Sequence, residues 1–403
     1  MKFLLLFLPL LVPVIMIDLF AQSYIISSIP LPKSYIQDLD PYQCNKECLT
    51  QYLNEEQIFS YLSHINNKNT NDAQKEQQMI YISLFNLGGV IEEQDLKIAL
   101  LLPSKVIGRY ALSTTNSVFS YLLAKNSAFK VQSYQIESES LKDLKDSMQQ
   151  IKDDGFNYVI APLTKEGAKN LVALDPKINV YIPTINKKII ASHSSYIYFG
   201  GIDYEVQLDA LMEFSKTPLV IFYDDSSFGK ELNVEAQKSY LKLDTDQEFY
   251  SYAITKKMSN LKKQLQGNKK LEKSSCLLNT PIVKSSMILS QLTLYDTNSS
   301  NILSTQINYD PLLFSMTQYQ DRKSMLITNS ITQHNSVLID TNTLLNNDIV
   351  YDWINYSTTI GVDFFYHLMS GNEREYTHNL LEHQVIYPTS LVQPTFSKFE
   401  KLY

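Results

Sequence analysis

The sequence predicts a two-lobed α/β protein with parallel sheets, preceded by a short helical hairpin. Three observations carry that expectation. Lys97-Ile-Ala-Leu-Leu-Leu-Pro103 is a short apolar run that ends in a polar turn, followed by Gly108 and a helix-like segment. The same grammar returns about 120 residues later in Pro218-Leu-Val-Ile-Phe-Tyr-Asp-Asp-Ser-Ser-Phe-Gly-Lys-Glu-Leu232. Continuous apolar strands of this length suit a sheet covered on both faces. Between and beyond these runs, strands alternate with helices, the pattern that parallel pairing by right-handed crossovers requires.

The elements run in order along the chain. Residues 22–40 read as irregular, with Pro30 and Pro32 inside them. From 42 to 65, Leu49, Tyr52, Leu53, Ile58, Phe59 and Leu62 recur at helical spacing, and a polar break over 66–71 comes next. A second helical stretch over 73–87 ends near Gly88-Gly89, completing the hairpin. The first α/β set then reads as strand 97–102, helix 109–125, strand 130–134 and an amphipathic helix from Leu141 ending at Gly155. Strand 158–161, helix 165–174, strands 179–182 and 196–200, and helix 203–214 complete it. The second set is strand 218–223, helix 227–241, strand 247–254, helix 258–271 and strand 275–279. Helix 282–294, strand 302–307, helix 311–319 and strand 325–328 close that set. One long helical stretch from Ile349 to Met369 and extended pieces around 385–387 and 395–397 finish the chain.

Length and composition set bounds. With 403 residues, 44% apolar and 19% charged, the chain holds two ordinary domains and is globular. A net charge of −7 argues against nucleic acid as a partner. The lysines at 256–257, 262–263, 269–270 and 273 read as the solvated face of a helix.

The segment Met1 to Ala21 has a positive start at Lys2, an apolar run from Phe3 to Ile17 and a small residue at Ala21, the shape of a secretory signal cut after Ala21. A retained anchor is the other reading, although Pro9, Pro13 and Asp18 interrupt it. No stable membrane-crossing segment is expected beyond this one. Export makes the nearby pair Cys44 and Cys48 a disulfide candidate, with free thiols and metal binding as alternatives. Helical spacing puts their Cα atoms near the limit for bridging, so the bond needs a distorted helix start.

The ordered strands and turns resemble the type I periplasmic-binding-protein-like superfamily, the receptors of branched-chain amino acid transport and their relatives. The likeness covers roughly 97–370 and rests on Ile98 to Gly108, Tyr158-Val-Ile-Ala-Pro162, Tyr181-Ile-Pro-Thr184, Tyr196-Ile-Tyr-Phe-Gly200 with Gln207, Pro218 to Leu232, and Gly361-Val-Asp-Phe-Phe365. It implies two Rossmann-like lobes joined by three crossings, with a ligand cleft between them. The lobes expected are 96–215 with about 344–372, and 216–343 with about 373–403, after an extension over 22–95. Amino acid receptors of this kind carry small hydroxyl residues after the strand matched by 181–184. Here Asn186-Lys187-Lys188 stands there, which argues against the usual amino acid ligand.

In an open α/β sheet, ligands sit beyond the carboxyl ends of the strands, where helix N-termini offer free N–H groups. The positions that meet this rule are Ser104, Lys105, Thr164, Asn186, Lys187, Asp224, Asp225, Ser226, Asn279 and Thr280. Ordinary capping is the competing reading, above all for Thr164, Ser226 and the Asp224-Asp225 pair. For Trp353, Tyr356, Phe364, Phe365 and Tyr366, core packing is favoured over an aromatic cleft wall. No nucleophile elbow, phosphate loop, dinucleotide fingerprint or two-histidine metal spacing occurs, and glycines number only 11, so no catalysis and no cofactor are expected. Two functions fit: an exported, non-enzymatic binder of a small polar solute in the periplasm, or an envelope regulator that binds a protein, similar to the activators of peptidoglycan synthases.

Overall fold

The computed structural model describes residues 36, 44–65, 70–85, 87, 96–125, 128–244 and 246–402. The leader with its cut after Ala21 and the helix stop at Gly88-Gly89 lie outside the described residues. The hairpin consists of α1 (Lys46–Asn54), α2 (Ile58–His64) and α3 (Asp72–Leu84). The single helix expected over 42–65 is broken because Glu56 adopts φ +58, which lets Gln57 N–H donate to the Tyr52 carbonyl at 2.8 Å. Leu49, Tyr61 and Ile65 form a small core separate from the lobes. Asn45 caps α1, so Cys44 lies outside the helix and reaches Cys48 with Cα atoms 5.4 Å apart; the two form a disulfide.

The first sheet begins with parallel strands β1 (Lys97–Leu102), β2 (Lys130–Gln135), β3 (Tyr158–Ile160), β4 (Asn179–Ile182) and β5 (Ile197–Phe199). Between them run α4 (Ser104–Ile107), α5 (Tyr110–Ala124), α6 (Leu141–Asp153) and α7 (Lys165–Leu174). β1 is apolar at every position after Lys97 because both of its faces are covered. Ile98, Leu100 and Leu102 pack with Val118 and Tyr121 of α5, whereas Ala99 and Leu101 pack with Leu144 of α6 and Leu171 of α7.

The chain then crosses to the second lobe at Gly200–Asp203, earlier than the sequence indicates. Helix α8 (Tyr204–Met212) packs Leu208, Leu211 and Met212 against Leu219 and Ile221, so it belongs to the second lobe. The apolar stripe of α8 shows that it packs, but not which sheet receives it. The second sheet is built on parallel strands β6 (Leu219–Asp224), β7 (Phe249–Ile254), β8 (Ser275–Asn279), β9 (Asn301–Ser304) and β10 (Met325–Asn329). Its remaining helices are α9 (Ser227–Leu241), α10 (Lys262–Leu265), α11 (Ile282–Leu294), α12 (Leu312–Met316) and α13 (Tyr319–Arg322). The helix expected over 258–271 shrinks to α10 and a single 3-10 turn over Lys269–Leu271, because Gly267 turns the chain at φ +66 and Asn268 caps that short turn.

Helices α14 (Ser336–Leu344) and α15 (Trp353–Ser370) return to the first lobe. Ser120 of α5 donates to the Thr341 carbonyl at 3.4 Å and Tyr121 donates to Asp363 at 2.8 Å. Strands β11 (Asn379–Leu381) and β12 (Gln384–Ile386) extend the first sheet beside β5. The chain crosses a third time, and antiparallel β13 (Ser390–Pro394) and β14 (Phe399–Lys401) complete the second sheet. Residues 336–343 and 379–386 thus sit in the first lobe, not the second where the sequence placed them. Each finished sheet has seven strands, ordered β11-β12-β5-β4-β3-β1-β2 and β14-β13-β10-β9-β8-β6-β7.

Candidate functional site

A cavity of about 720 Å³ lies between the lobes, beyond the carboxyl ends of β1, β8 and β9. From the first lobe, Gly108 ends α4 at φ +57, a conformation that side chains resist. That turn delivers Arg109 and Tyr110 to the cavity wall. The loop ahead of α15 supplies Asp348, Tyr351, Asp352 and Trp353. The second lobe answers with Tyr204 of α8, Phe228 of α9, and Gln306, Tyr309 and Asp310 after β9. One ring pair spans the gap, Tyr309 and Tyr351 at 5.2 Å between centroids, while Tyr204 and Phe228 pair within the second lobe at 5.4 Å.

Three carboxylates and one guanidinium line the cavity. Each carboxylate is anchored through Oδ1 to backbone N–H groups. Asp348 accepts from Val350 at 2.7 Å and Tyr351 at 3.0 Å. Asp352 caps α15 by accepting from Asn355 at 3.1 Å, and Asp310 accepts from Leu312 at 2.8 Å. Burial raises the Asp352 pKa, the Asn355 and Ile354 N–H groups and Arg109 pull it back, and Asp348 adds to the rise. Arg109 is held in its charged form first by Tyr110, then by Asp352 and Asp310.

Two buried amides also line the cavity with an open valence. Asn355 is 4% exposed; its Nδ2 donates to the Asp348 carbonyl at 2.9 Å, while Oδ1 has no partner among the described residues. Gln306 is 5% exposed; its Oε1 accepts from Ser330 N–H at 2.5 Å, while Nε2 is likewise unpaired. The two unpaired atoms belong to opposite lobes, and each is itself sealed from solvent.

No protein-family model matches the sequence, and no curated protein matches it. Solved structures do. One is the branched-chain amino acid transporter substrate-binding protein LivJ of Streptococcus pneumoniae, in complex with isoleucine, at TM-score 0.56 and 10% identity over 76% of this chain and 98% of that one. Another is a branched-chain amino acid ABC transporter periplasmic ligand-binding protein from Burkholderia xenovorans, at 0.59 and 8% over 77% and 95%. A third is the solute-binding protein of an ABC transporter from Rhodopseudomonas palustris with 3,4-dihydroxybenzoic acid, at 0.56 and 10% over 76% and 95%. The chain has the type I periplasmic-binding-protein-like fold.

Within this type I fold, none of the ten residues singled out from the sequence lines the interlobe cavity. Ser104 opens α4, and Lys105 pairs with Glu137 at the surface. Thr164 caps α7, and its N–H donates to buried Glu139 at 2.8 Å. Asp224 accepts from Ser226 N–H at 3.0 Å, Ser226 caps α9, and Asp225 sits half-buried beside them. Asn279 and Thr280 are fully buried, with the Thr280 hydroxyl 2.7 Å from that of Ser285. Asn186 and Lys187 line a different cavity, of about 420 Å³, at the crossings. There Asn186 donates to the Gly201 carbonyl at 3.1 Å and Lys187 Nζ to the Glu382 carbonyl at 2.6 Å. Thr164, Asn186 and Ser226 are taken up by capping and the others by buried or surface contacts, and the cavity wall is built further along the chain.

The residues that sequence reasoning missed carry little local signal. Arg109 comes directly after a glycine in a turn, and Asp310, Asp348 and Asp352 look like ordinary caps. Trp353 lines the cavity, whereas Tyr356, Phe365 and Tyr366 are buried in the core. Among the described residues, no cluster of three or more His, Cys, Asp or Glu is placed to hold a metal, and no helix is long and apolar enough to cross a membrane.

Proposed function

We propose that this chain is a non-enzymatic, extracytoplasmic solute-binding protein that closes its two lobes on a small polar molecule. The carrying observation is the interlobe cavity itself, about 720 Å³ and lined from both lobes by Arg109, Asp348 and Asp352 on one side and Gln306, Tyr309 and Asp310 on the other. The structural neighbours described as bound to isoleucine and to 3,4-dihydroxybenzoic acid support the reading by fold. The leader-like segment up to Ala21 supports export, and with it a periplasmic setting.

The test is a thermal-shift panel of amino acids, amines, aromatic acids and short peptides on the chain from residue 22 onward. A solute present at one hundred times its dissociation constant stabilises by about 2.7 kcal/mol, a clear upward shift of Tm. Silence across the panel, together with capture of an envelope protein, would replace this reading with that of a regulator.

A further inference from the structure

We propose that Asn298 is the attachment site of an N-linked glycan, in an acceptor motif that includes Asp296 and Ser300. Glycosylation there needs the export proposed above, but not the solute. Two stretches of the chain have Asn followed two residues later by Ser or Thr, Asn298-Ser-Ser300 and Asn355-Tyr-Ser357. That spacing is the acceptor tripeptide of N-glycosylation in exported proteins. The first stretch also has Asp296 two residues ahead of its asparagine, the acidic extension that some bacterial transferases read. Trp353 holds that place in the second.

The fold separates the two further. Asn355 is 4% exposed in the first turn of α15, and its Nδ2 donates to the Asp348 carbonyl at 2.9 Å. A transferase would reach it only by unwinding the helix. Asn298 is exposed, in the turn between α11 and β9, and Asp296 and Ser300 are exposed with it. Asp296 turns the chain out of α11 at φ +48, and Thr297 N–H then donates to the Leu292 carbonyl at 3.0 Å. The Asn298 carbonyl accepts from Lys273 N–H at 2.6 Å, and the Ser300 hydroxyl donates to the Lys273 carbonyl at 2.7 Å. These bonds use main chain and hydroxyls, so the turn does not depend on the Asn298 amide. The motif precedes the amino end of β9, whereas Gln306 and Tyr309 of the cavity wall follow its carboxyl end. A bulky hydrophilic chain on Asn298 therefore leaves the cleft free to close.

In the transfer, Asn298 Nδ2 forms a bond to the anomeric carbon of the first sugar of a lipid-pyrophosphate-linked oligosaccharide. The bond from that carbon to the pyrophosphate oxygen breaks, and the lipid pyrophosphate leaves with its electron pair. One Nδ2 proton passes to a base of the transferase, and nothing is oxidised or reduced.

The test is peptide mass spectrometry on the protein isolated from the envelope of its own cells, with variants made in the same cells. The peptide containing Asn298 should carry a saccharide mass on that residue, and the peptide containing Asn355 should carry none. Asn298→Gln and Ser300→Ala should each abolish the added mass. Asp296→Asn removes the acid but keeps a residue that tolerates positive φ, and it should abolish the added mass as well. Melting of each purified variant reports that it still folds. An Asn298 peptide found only unmodified in the parent, or a saccharide on Asn355 instead, overturns the assignment. A glycan that persists in Asp296→Asn overturns the part given to Asp296. Recovery of the chain from the cytosol alone overturns both the glycan and the export, whereas a silent solute panel beside a glycosylated Asn298 overturns only the solute reading.

Discussion

The ring of Tyr181 lies flat against Gly361. A Cβ on Gly361 would sit 2.2 Å from Tyr181 Cδ1, in the middle of α15. The Tyr181 hydroxyl is within 3.4 Å of Ser357 and Tyr387, so the ring cannot swing away without disturbing the third crossing. Gly361→Ala sets two effects against each other. Helix propensity favours alanine by about 1 kcal/mol, while overpacking a closed core costs about 1–3 kcal/mol. The clash is with a fully buried ring, so net destabilisation is expected, read as a lowered denaturant midpoint. An unchanged or raised midpoint would show that the ring has room to move.

His378 should make stability fall in mild acid. It is buried, with Nε2 2.8 Å from the Tyr356 hydroxyl. Burial first, then the nearby Arg374, push its pKa down to about 4 from 6.5. Between those values the unfolded chain binds a proton that the folded chain refuses, so stability drops as pH falls from 6.5 towards 4, by about 3 kcal/mol in all. His378→Gln should flatten that slope in chemical denaturation monitored against pH. An equal slope in the variant would assign the titration elsewhere.

Lys165 at the start of α7 and Glu231 in α9 belong to opposite lobes and pair at 2.8 Å. Both side chains are exposed, so the pair contributes about 0.2–1 kcal/mol and is screened by salt. Glu231→Gln should therefore loosen solute binding by less than about fivefold at low salt and leave ligand-free Tm unchanged. The difference from the parent should vanish at high salt. A large loss of Tm would show that the pair supports the fold instead of bridging the lobes.

Much of this architecture was legible because the sheet centres are chemically uniform. β1 and β6 read as buried strands from their apolar runs alone, and both bounds of α9 are set by the Ser226 cap and the stripe behind it. The piece read as extended around 385–387 is β12, but β11, β13 and β14 did not stand out, since strands of three to five residues show neither alternation nor a long apolar run. The piece read as extended at 395–397 is instead the turn between β13 and β14, closed by Thr395 N–H donating to the Lys398 carbonyl at 2.9 Å. Site residues were the least legible. Asp348 and Asp352 have the spacing of caps and act as caps, and only the fold brings them to face Asp310 from the other lobe. A gathering of like charges from two lobes has no counterpart in local pattern.

The last strands carry a consequence for biogenesis. β12 is laid beside β5 only after the second sheet has most of its members, and β13 joins β10 later still. A ribosome releasing this polypeptide therefore emits two unfinished β-edges together; the first half reaches its final width only with residues 379–386 and the second only with residues 390–401. Any helper that guards the nascent chain against edge-to-edge association would have to remain bound to the end.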